Sequence, residues 1–180
     1  MGNKEQEDFY ISYREDSLWS QTVDMGSPIN TALNEGAQCI SPDGKSMYFT
    51  ACNRPDGYGS CDLYVSEKNG DRWGLPENLG IIVNSERWDS QPSISSDGKT
   101  LYFSSARAGG KENMDIWTTT KNDNGDWTKP VKLSDTINTD RGEMAPFIHP
   151  DNQTLYFSSI GLMGMGGYDI FYSRKDSAGN

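Results

Sequence analysis

The chain has 180 residues, a formal net charge of −10 and a pI near 4.5. That acidity argues against nucleic acid or an anionic membrane surface as a partner. A mean hydropathy of −0.74 goes with the absence of any apolar run long enough to cross a bilayer as a helix.

Glycine (19), proline (8), tyrosine (9) and tryptophan (5) are plentiful, and no segment keeps a 3.6-residue apolar period, so the composition points to an all-β protein. The start, MGNKEQED, is polar and shows no signal peptide. Gln6 stands where a myristoylation motif needs Ser or Thr.

In chain order, the first recognisable strand is DFYIS at 8–12. Its pattern returns as DLYVS at 62–66, DIW at 115–117 and DIF at 169–171. A longer phrase is also written three times: SPDGKSMYFTA at 41–51, SSDGKTLYFSS at 95–105 and HPDNQTLYFSS at 149–159. Asp43, Asp97 and Asp151 are spaced by 54 residues, as are Trp19, Trp73 and Trp127, and Asn30, Asn84 and Asn138. Several registers with one period identify a structural repeat of about 54 residues.

The unit at 88–141 reads as four strands. A short inner strand at 91–95 runs into a tight Asp-Gly turn at 96–99. An alternating aromatic and hydroxyl strand follows at 100–105, then a Gly-rich loop at 106–113. The third strand is expected at 114–121 and an outer strand at 127–133. Pro130 interrupts the outer strand, as suits a sheet edge.

Four antiparallel strands per repeat with Gly and aromatic landmarks describe β-propeller blades. The division expected is a partial blade at 8–33, blades at 34–87 and 88–141, and a partial blade at 142–180, within one propeller region covering 1–180. About three to four blades fall short of most closed rings, so the chain is expected to form part of a larger or assembled propeller. Self-association is one way to complete it.

Cys52 and Cys61 flank one loop between second and third strands, where they are placed to form a disulfide; two buried thiols are the alternative. Cys39 falls on an inner strand and reads as a packed thiol. One histidine, His149, and no paired CxxC leave no zinc site. His149 takes the slot of Ser41 and Ser95 beside the turn, and no nucleophile elbow accompanies it. The recurring Asp8, Asp62, Asp115 and Asp169 read as structural carboxylates accepting backbone N–H bonds.

Differences between blades carry the functional signal, because loops bear function on rigid scaffolds. The loops between blades and those between second and third strands share one face of a propeller. There the candidate partner-binding residues are Arg54, Asp56, Tyr58, Glu86, Arg87, Trp88, Asp89, Arg107, Asp140, Arg141 and Glu143. Lys111 and Glu112 add charge to the same loops. Trp88 has no aromatic counterpart in the other units, which makes it the best single anchor.

The order S-P-D-G-K-x-L-Y-F-S-S, Gly-rich loop, D-I-aromatic and W-x-x-P-x-x-L resembles the WD40-like propeller repeats of the TolB type. It is carried by residues 41–51, 62–65 and 73–79, by 95–105, 115–117 and 127–133, and by 150–159 and 169–171. The closest variant occurs in Bacteroidetes envelope proteins, beside OmpA-like domains. The resemblance implies a non-catalytic scaffold, periplasmic or outer-membrane-associated, that binds an envelope protein without a cofactor. The rival is a glycan-binding or glycoside-hydrolase-associated propeller. It would need carboxylates such as Glu86 and Glu143 to converge.

Overall fold

The computed structural model describes residues 6–107 and 113–176. β1 (Tyr10–Ile11) pairs with β4 (Val23–Asp24), and β2 (Arg14–Glu15) with β3 (Leu18–Trp19). The next sheet runs β5 (Glu35–Ile40), β6 (Ser46–Cys52) and β7 (Cys61–Asn69). Its outer edge is β8 (Arg72–Trp73) and β9 (Glu77–Asn78), both on β7, followed by one helical turn, α1 (Gly80–Val83). A four-stranded sheet of β10 (Asp89–Ile94), β11 (Thr100–Ser105), β12 (Asp115–Thr120) and β13 (Val131–Lys132) comes next. The last sheet is β14 (Glu143–Ile148), β15 (Thr154–Ser159) and β16 (Asp169–Arg174).

The chain is thus all-β, built of antiparallel β-propeller blades stacked face to face. The outer strands are shorter than the sequence pattern suggests, for a local reason. Pro76 lies between β8 and β9, and Pro130 just before β13. Neither can donate to a ladder, so the outer strand breaks into short bridges, among them Lys121 with Trp127.

The repeated phrase makes a turn. Gly98 N–H donates to the Ser95 carbonyl at 2.9 Å, with Gly98 at φ +70°, and Gly44 and Asn152 hold the same left-handed position at φ +71° and +57°. Hydrogen bonds from the Ser95 hydroxyl and the Lys99 amide hold the Asp97 carboxyl below its usual range. Asp43 is lowered in the same way by Ser41 and Lys45.

Three apolar layers lie between the sheets. Phe9 and Ile29 meet Met47, Phe49, Ala51 and Tyr64. Tyr48, Leu63 and Val83 meet Ile94, Leu101 and Phe103. Tyr102, Ile116 and Ile137 meet Ile148, Leu155 and Phe157. One blade supplies a Tyr–aliphatic face and the next an aliphatic–Phe face, so the same interface is written repeatedly.

Polar groups repeat as faithfully. Asn30, Asn84 and Asn138 each bracket one residue of the third strand. Asn84 Oδ1 accepts from the Leu63 amide at 2.9 Å, and its Nδ2 donates to the Leu63 carbonyl at 3.0 Å. Asn138 does the same to Ile116, and Asn30 to Phe9. The side-chain oxygen thereby replaces a missing ladder partner for the N–H, while each carbonyl also accepts from a backbone amide, that of Met25, Leu79 or Leu133.

Each inner strand bulges at a left-handed residue: Ala37 (φ 51°), Gln91 (φ 58°) and Ala145 (φ 51°). The bulge turns an N–H toward the neighbouring blade. Gln91 N donates to Thr50 Oγ1 at 3.2 Å, and Ala145 N to Gln91 Oε1 at 2.8 Å. The three inner strands line a groove of about 630 Å³ that includes Pro42, Pro92, Pro146 and Cys39. Burial pushes the Cys39 thiol up to about 12.

Candidate functional site

On the loop face, each blade buries one carboxylate at the start of its inner strand. In the first complete blade Glu35 accepts from the Thr31 amide (3.0 Å), the Thr31 hydroxyl (2.7 Å) and Arg54 Nη2 (3.0 Å). The Arg54 guanidinium lies over the rings of Phe49 and Tyr64, at 5.6 and 4.9 Å from their centroids. In the next blade Asp89 accepts from the Ser85 amide (2.6 Å) and hydroxyl (2.7 Å) and from Arg107 Nη2 (2.7 Å). Arg107 lies over Phe103 and Trp117 at 5.0 and 5.1 Å. Its Nη2 also donates to the Val83 carbonyl, and its Nε to Ser105 Oγ.

The last blade departs from this. Glu143 accepts from the Thr139 amide (2.9 Å) and hydroxyl (2.7 Å), but its third donor is the Ser159 hydroxyl at 2.7 Å. Gly161 stands near the arginine's register, and a Cβ there would meet Thr139 Oγ1 at 1.9 Å. A neutral donor and a close backbone approach replace the cation.

These contacts correct the assignment of four candidate partner-binding residues. Asp89 and Glu143 are completely buried, and Arg54 and Arg107 are nearly so, with their polar atoms turned inward. They are framework, because a buried carboxylate must be satisfied where it lies. Glu143 therefore has no surface from which to pair with the exposed Glu86. A period of 54 in Glu35, Asp89 and Glu143, with Thr31, Ser85 and Thr139 four residues ahead of each, was the readable signal for this clamp.

The other candidates reach solvent. Asp56, Tyr58, Glu86, Arg87, Asp140 and Arg141 are exposed, and Trp88 is half-buried. Loop 53–60 and loop 85–88 come together. Ser60 N donates to the Arg87 carbonyl at 3.0 Å, and Cys61 forms a parallel bridge with Trp88. Gly59 approaches so closely that a Cβ would meet the Arg87 carbonyl oxygen at 1.7 Å, so a side chain there would part the two loops.

Within loop 53–60 the Asp62 carboxylate accepts from the amides of Tyr58 (3.0 Å) and Gly59 (3.3 Å), and burial pushes its carboxyl up against the lowering effect of those two bonds. Asp56 accepts from the Tyr64 hydroxyl at 3.0 Å. Cys52 and Cys61 are joined by a disulfide across the base of the loop. Asp169 repeats the Asp62 pattern by accepting from the Met165 amide at 2.7 Å. Asp115 instead pairs with Lys132 at 2.9 Å. Lys111 and Glu112 lie outside the described residues.

Arg54, Asp56, Tyr58 and Glu86–Asp89 therefore belong to one joined loop pair, whereas Asp140 and Arg141 sit one blade further on. The Asp151 amide donates to His149 Nδ1 at 3.3 Å inside the turn. Among the described residues no three His, Cys, Asp or Glu side chains gather as a metal site.

No family profile matches the chain, and no curated protein sequence does. Solved structures do match in fold. TolB from Acinetobacter baumannii aligns at TM-score 0.58 and 16% identity, over 89% of this chain and 33% of that one. A Hadza microbial sialidase aligns at TM-score 0.53 and 14% identity, over 93% and 38%. A puromycin-hydrolysing peptidase of Mycobacterium tuberculosis aligns at 0.51 and 14%, over 91% and 28%. The chain spans about a third of the length of these structures. At such identities the likeness is one of fold, and it joins enzymes and TolB alike.

Proposed function

We propose that this chain is a non-catalytic β-propeller scaffold of the bacterial cell envelope that binds a protein partner through its loop face. The observation that carries the reading is the division of labour among polar residues. Glu35, Asp89, Glu143 and Asp62 are buried and saturated by internal donors, as a framework requires. Arg87, Glu86 and Tyr58 lie exposed around the half-buried Trp88 on a loop pair fixed by a disulfide. An aromatic set among charged side chains on a rigid platform is how protein interfaces are anchored.

The disulfide suits an oxidising compartment such as the periplasm. Among the described residues no helix is long and apolar enough to cross a membrane. The glycosidase alternative loses its suggested carboxylate pair, because Glu143 is consumed inside its blade.

The test is capture of envelope proteins on the immobilised chain, followed by titration of the purified captured protein. Trp88→Ala and Arg87→Ala are expected to weaken that binding by about tenfold or more each. Unchanged binding for both, with no loss from Tyr58→Ala or Arg141→Ala, overturns the reading.

A further inference from the structure

Asn or Asp precedes Gly at five steps of the sequence: Asp43-Gly44, Asp56-Gly57, Asn69-Gly70, Asp97-Gly98 and Asn124-Gly125. Such steps can react with themselves, because glycine has no side chain to keep its nitrogen from the side-chain carbonyl carbon of the residue before it. The reaction needs that nitrogen free. Four of the five glycine amides are committed: Gly44 donates to the Ser41 carbonyl at 2.8 Å, Gly57 to that of Arg54 at 3.0 Å, Gly98 to that of Ser95 at 2.9 Å and Gly125 to that of Asn122 at 2.9 Å. The Gly70 N–H makes no hydrogen bond among the described residues.

The two asparagine steps lie in equivalent hairpins, each leading into a tryptophan that packs between blades. Trp127 lies edge-on to Tyr48 with ring centroids 6.0 Å apart, and Trp73 packs on the layer of Phe9 and Phe49. The turns differ by one residue: four residues separate Lys68 from Trp73, and five separate Lys121 from Trp127. In the longer turn Asn122 acts as a staple. Its Oδ1 accepts from the Asn124 amide at 3.0 Å and the Asp126 amide at 2.9 Å, while its carbonyl takes the Gly125 amide. Asn69 follows its lysine as Asn122 does, but Gly70 comes directly after it, in a two-residue turn between Asn69 and Arg72. Asn69, Gly70 and Asp71 are exposed. Gly70 and Gly125 both stand in open space, so room does not separate the two sites; the hydrogen bond does.

We propose that Asn69 is a site of spontaneous modification, at which the chain converts its own carboxamide to a carboxylate while Asn124 is protected. Hydroxide takes the Gly70 amide proton, and the nitrogen attacks Asn69 Cγ. The new N–Cγ bond forms, the Cγ–Nδ2 bond breaks, and Nδ2 leaves as ammonia with a proton from water, which restores the hydroxide. Water then opens the cyclic imide at either carbonyl and gives aspartate or its isoaspartyl isomer. Water is the co-reactant, and no oxidant or cofactor takes part.

Either product sets a new carboxylate between Lys68 and Asp71, and Lys68 lies 5.7 Å from the centroid of the Trp73 ring. The isoaspartyl form also adds a carbon to the main chain where Asn69 pairs with Arg72, beside the pairing of Lys68 with Trp73. The modification thus falls on the hairpin that seats Trp73, away from the loops proposed to meet a partner.

The experiment holds the native chain in warm, mildly alkaline buffer and locates converted residues by peptide mapping with mass spectrometry. Asn69 is expected to convert about tenfold faster than Asn124 or more, the factor that one retained hydrogen bond supplies. In guanidinium chloride above the unfolding midpoint the two steps are expected to convert at equal rates, since both are Asn-Gly. In Asn69→Gln the acidic species that ion exchange separates from the aged native chain is expected to disappear. Equal conversion of Asn69 and Asn124 in the native chain overturns the proposal. So does a native chain that keeps both asparagines while the unfolded chain loses both, since the fold would then protect Gly70 as well.

Discussion

Removing Arg107 tests whether the buried clamp holds the fold. In Arg107→Leu the Asp89 carboxylate keeps the Ser85 amide and hydroxyl but loses the arginine paired with it, at a site with no solvent access. Breaking a buried pair by deleting one partner costs about 3–5 kcal/mol. Leucine keeps apolar contact with Phe103 and Trp117 but gives up two cation–π contacts, which add about 1 kcal/mol at a nearly buried site. The Val83 carbonyl and Ser105 hydroxyl lose their donor as well.

A total near 5 kcal/mol is a large part of the stability of any domain, and for this chain length it lowers Tm by about 15 °C. Urea unfolding followed by tryptophan fluorescence measures it. Arg107→Leu combined with Asp89→Asn should regain about half, because the unpaired charge is then gone. A loss below about 1 kcal/mol for Arg107→Leu would mean that Asp89 is satisfied without the arginine, and the clamp argument would fail.

Asn84→Ala leaves the buried Leu63 N–H without its acceptor, while the Leu63 carbonyl keeps the Leu79 amide, and should cost about 2 kcal/mol in the same urea assay, with Leu63 amide exchange accelerated. Opening the disulfide, which closes a loop of 9-residue separation, should cost about 2.5 kcal/mol; dithiothreitol should lower the urea midpoint of the wild type but not of Cys52→Ser/Cys61→Ser. Cys39 ionises near 9.0 when unfolded and near 12 when folded, so its stabilising contribution is complete below about pH 8 and fades as pH climbs between those values; a thiol reagent at pH 8 should label it only on unfolding. The turn aspartates Asp43, Asp97 and Asp151 are lowered from 3.8, so their contribution is present above that value and lost as pH falls below it toward their lowered folded values; acid titration of the urea midpoint reads this, and Asp97→Asn should flatten it in part.

The fold was legible because its signals are local and periodic. Asp-Gly turns, alternating Tyr-Phe strands and the third-strand aspartates each have a chemical reason to recur. The outer strands were less legible, since a two-residue bridge between prolines has no alternation to detect. The candidate site was half legible. Charged and aromatic residues in loops mark a surface only if they face out, and composition does not tell an exposed Arg87 from an Arg107 stacked between two rings. What would have separated them is repetition: a carboxylate with a hydroxyl residue four positions before it, in every blade, belongs to the framework.

That criterion extends to the whole loop face. A residue repeated at each blade answers a need that each blade shares, such as satisfying a buried N–H or covering a neighbouring sheet. Asn84, Asp89 and Trp127 meet such needs, and the contacts show it. Trp88 meets none that recurs. No counterpart of its ring exists in the other units, and the loops that hold it are joined through backbone contacts and a disulfide. The last blade tells the same story from the other side. With Gly161 near the arginine's register and Ser159 closing on Glu143, its framework is satisfied by neutral donors, and Met163 and Met165 beyond it are fully exposed. Side chains that the framework does not use, on loops that the framework holds still, are the ones available to the partner proposed above.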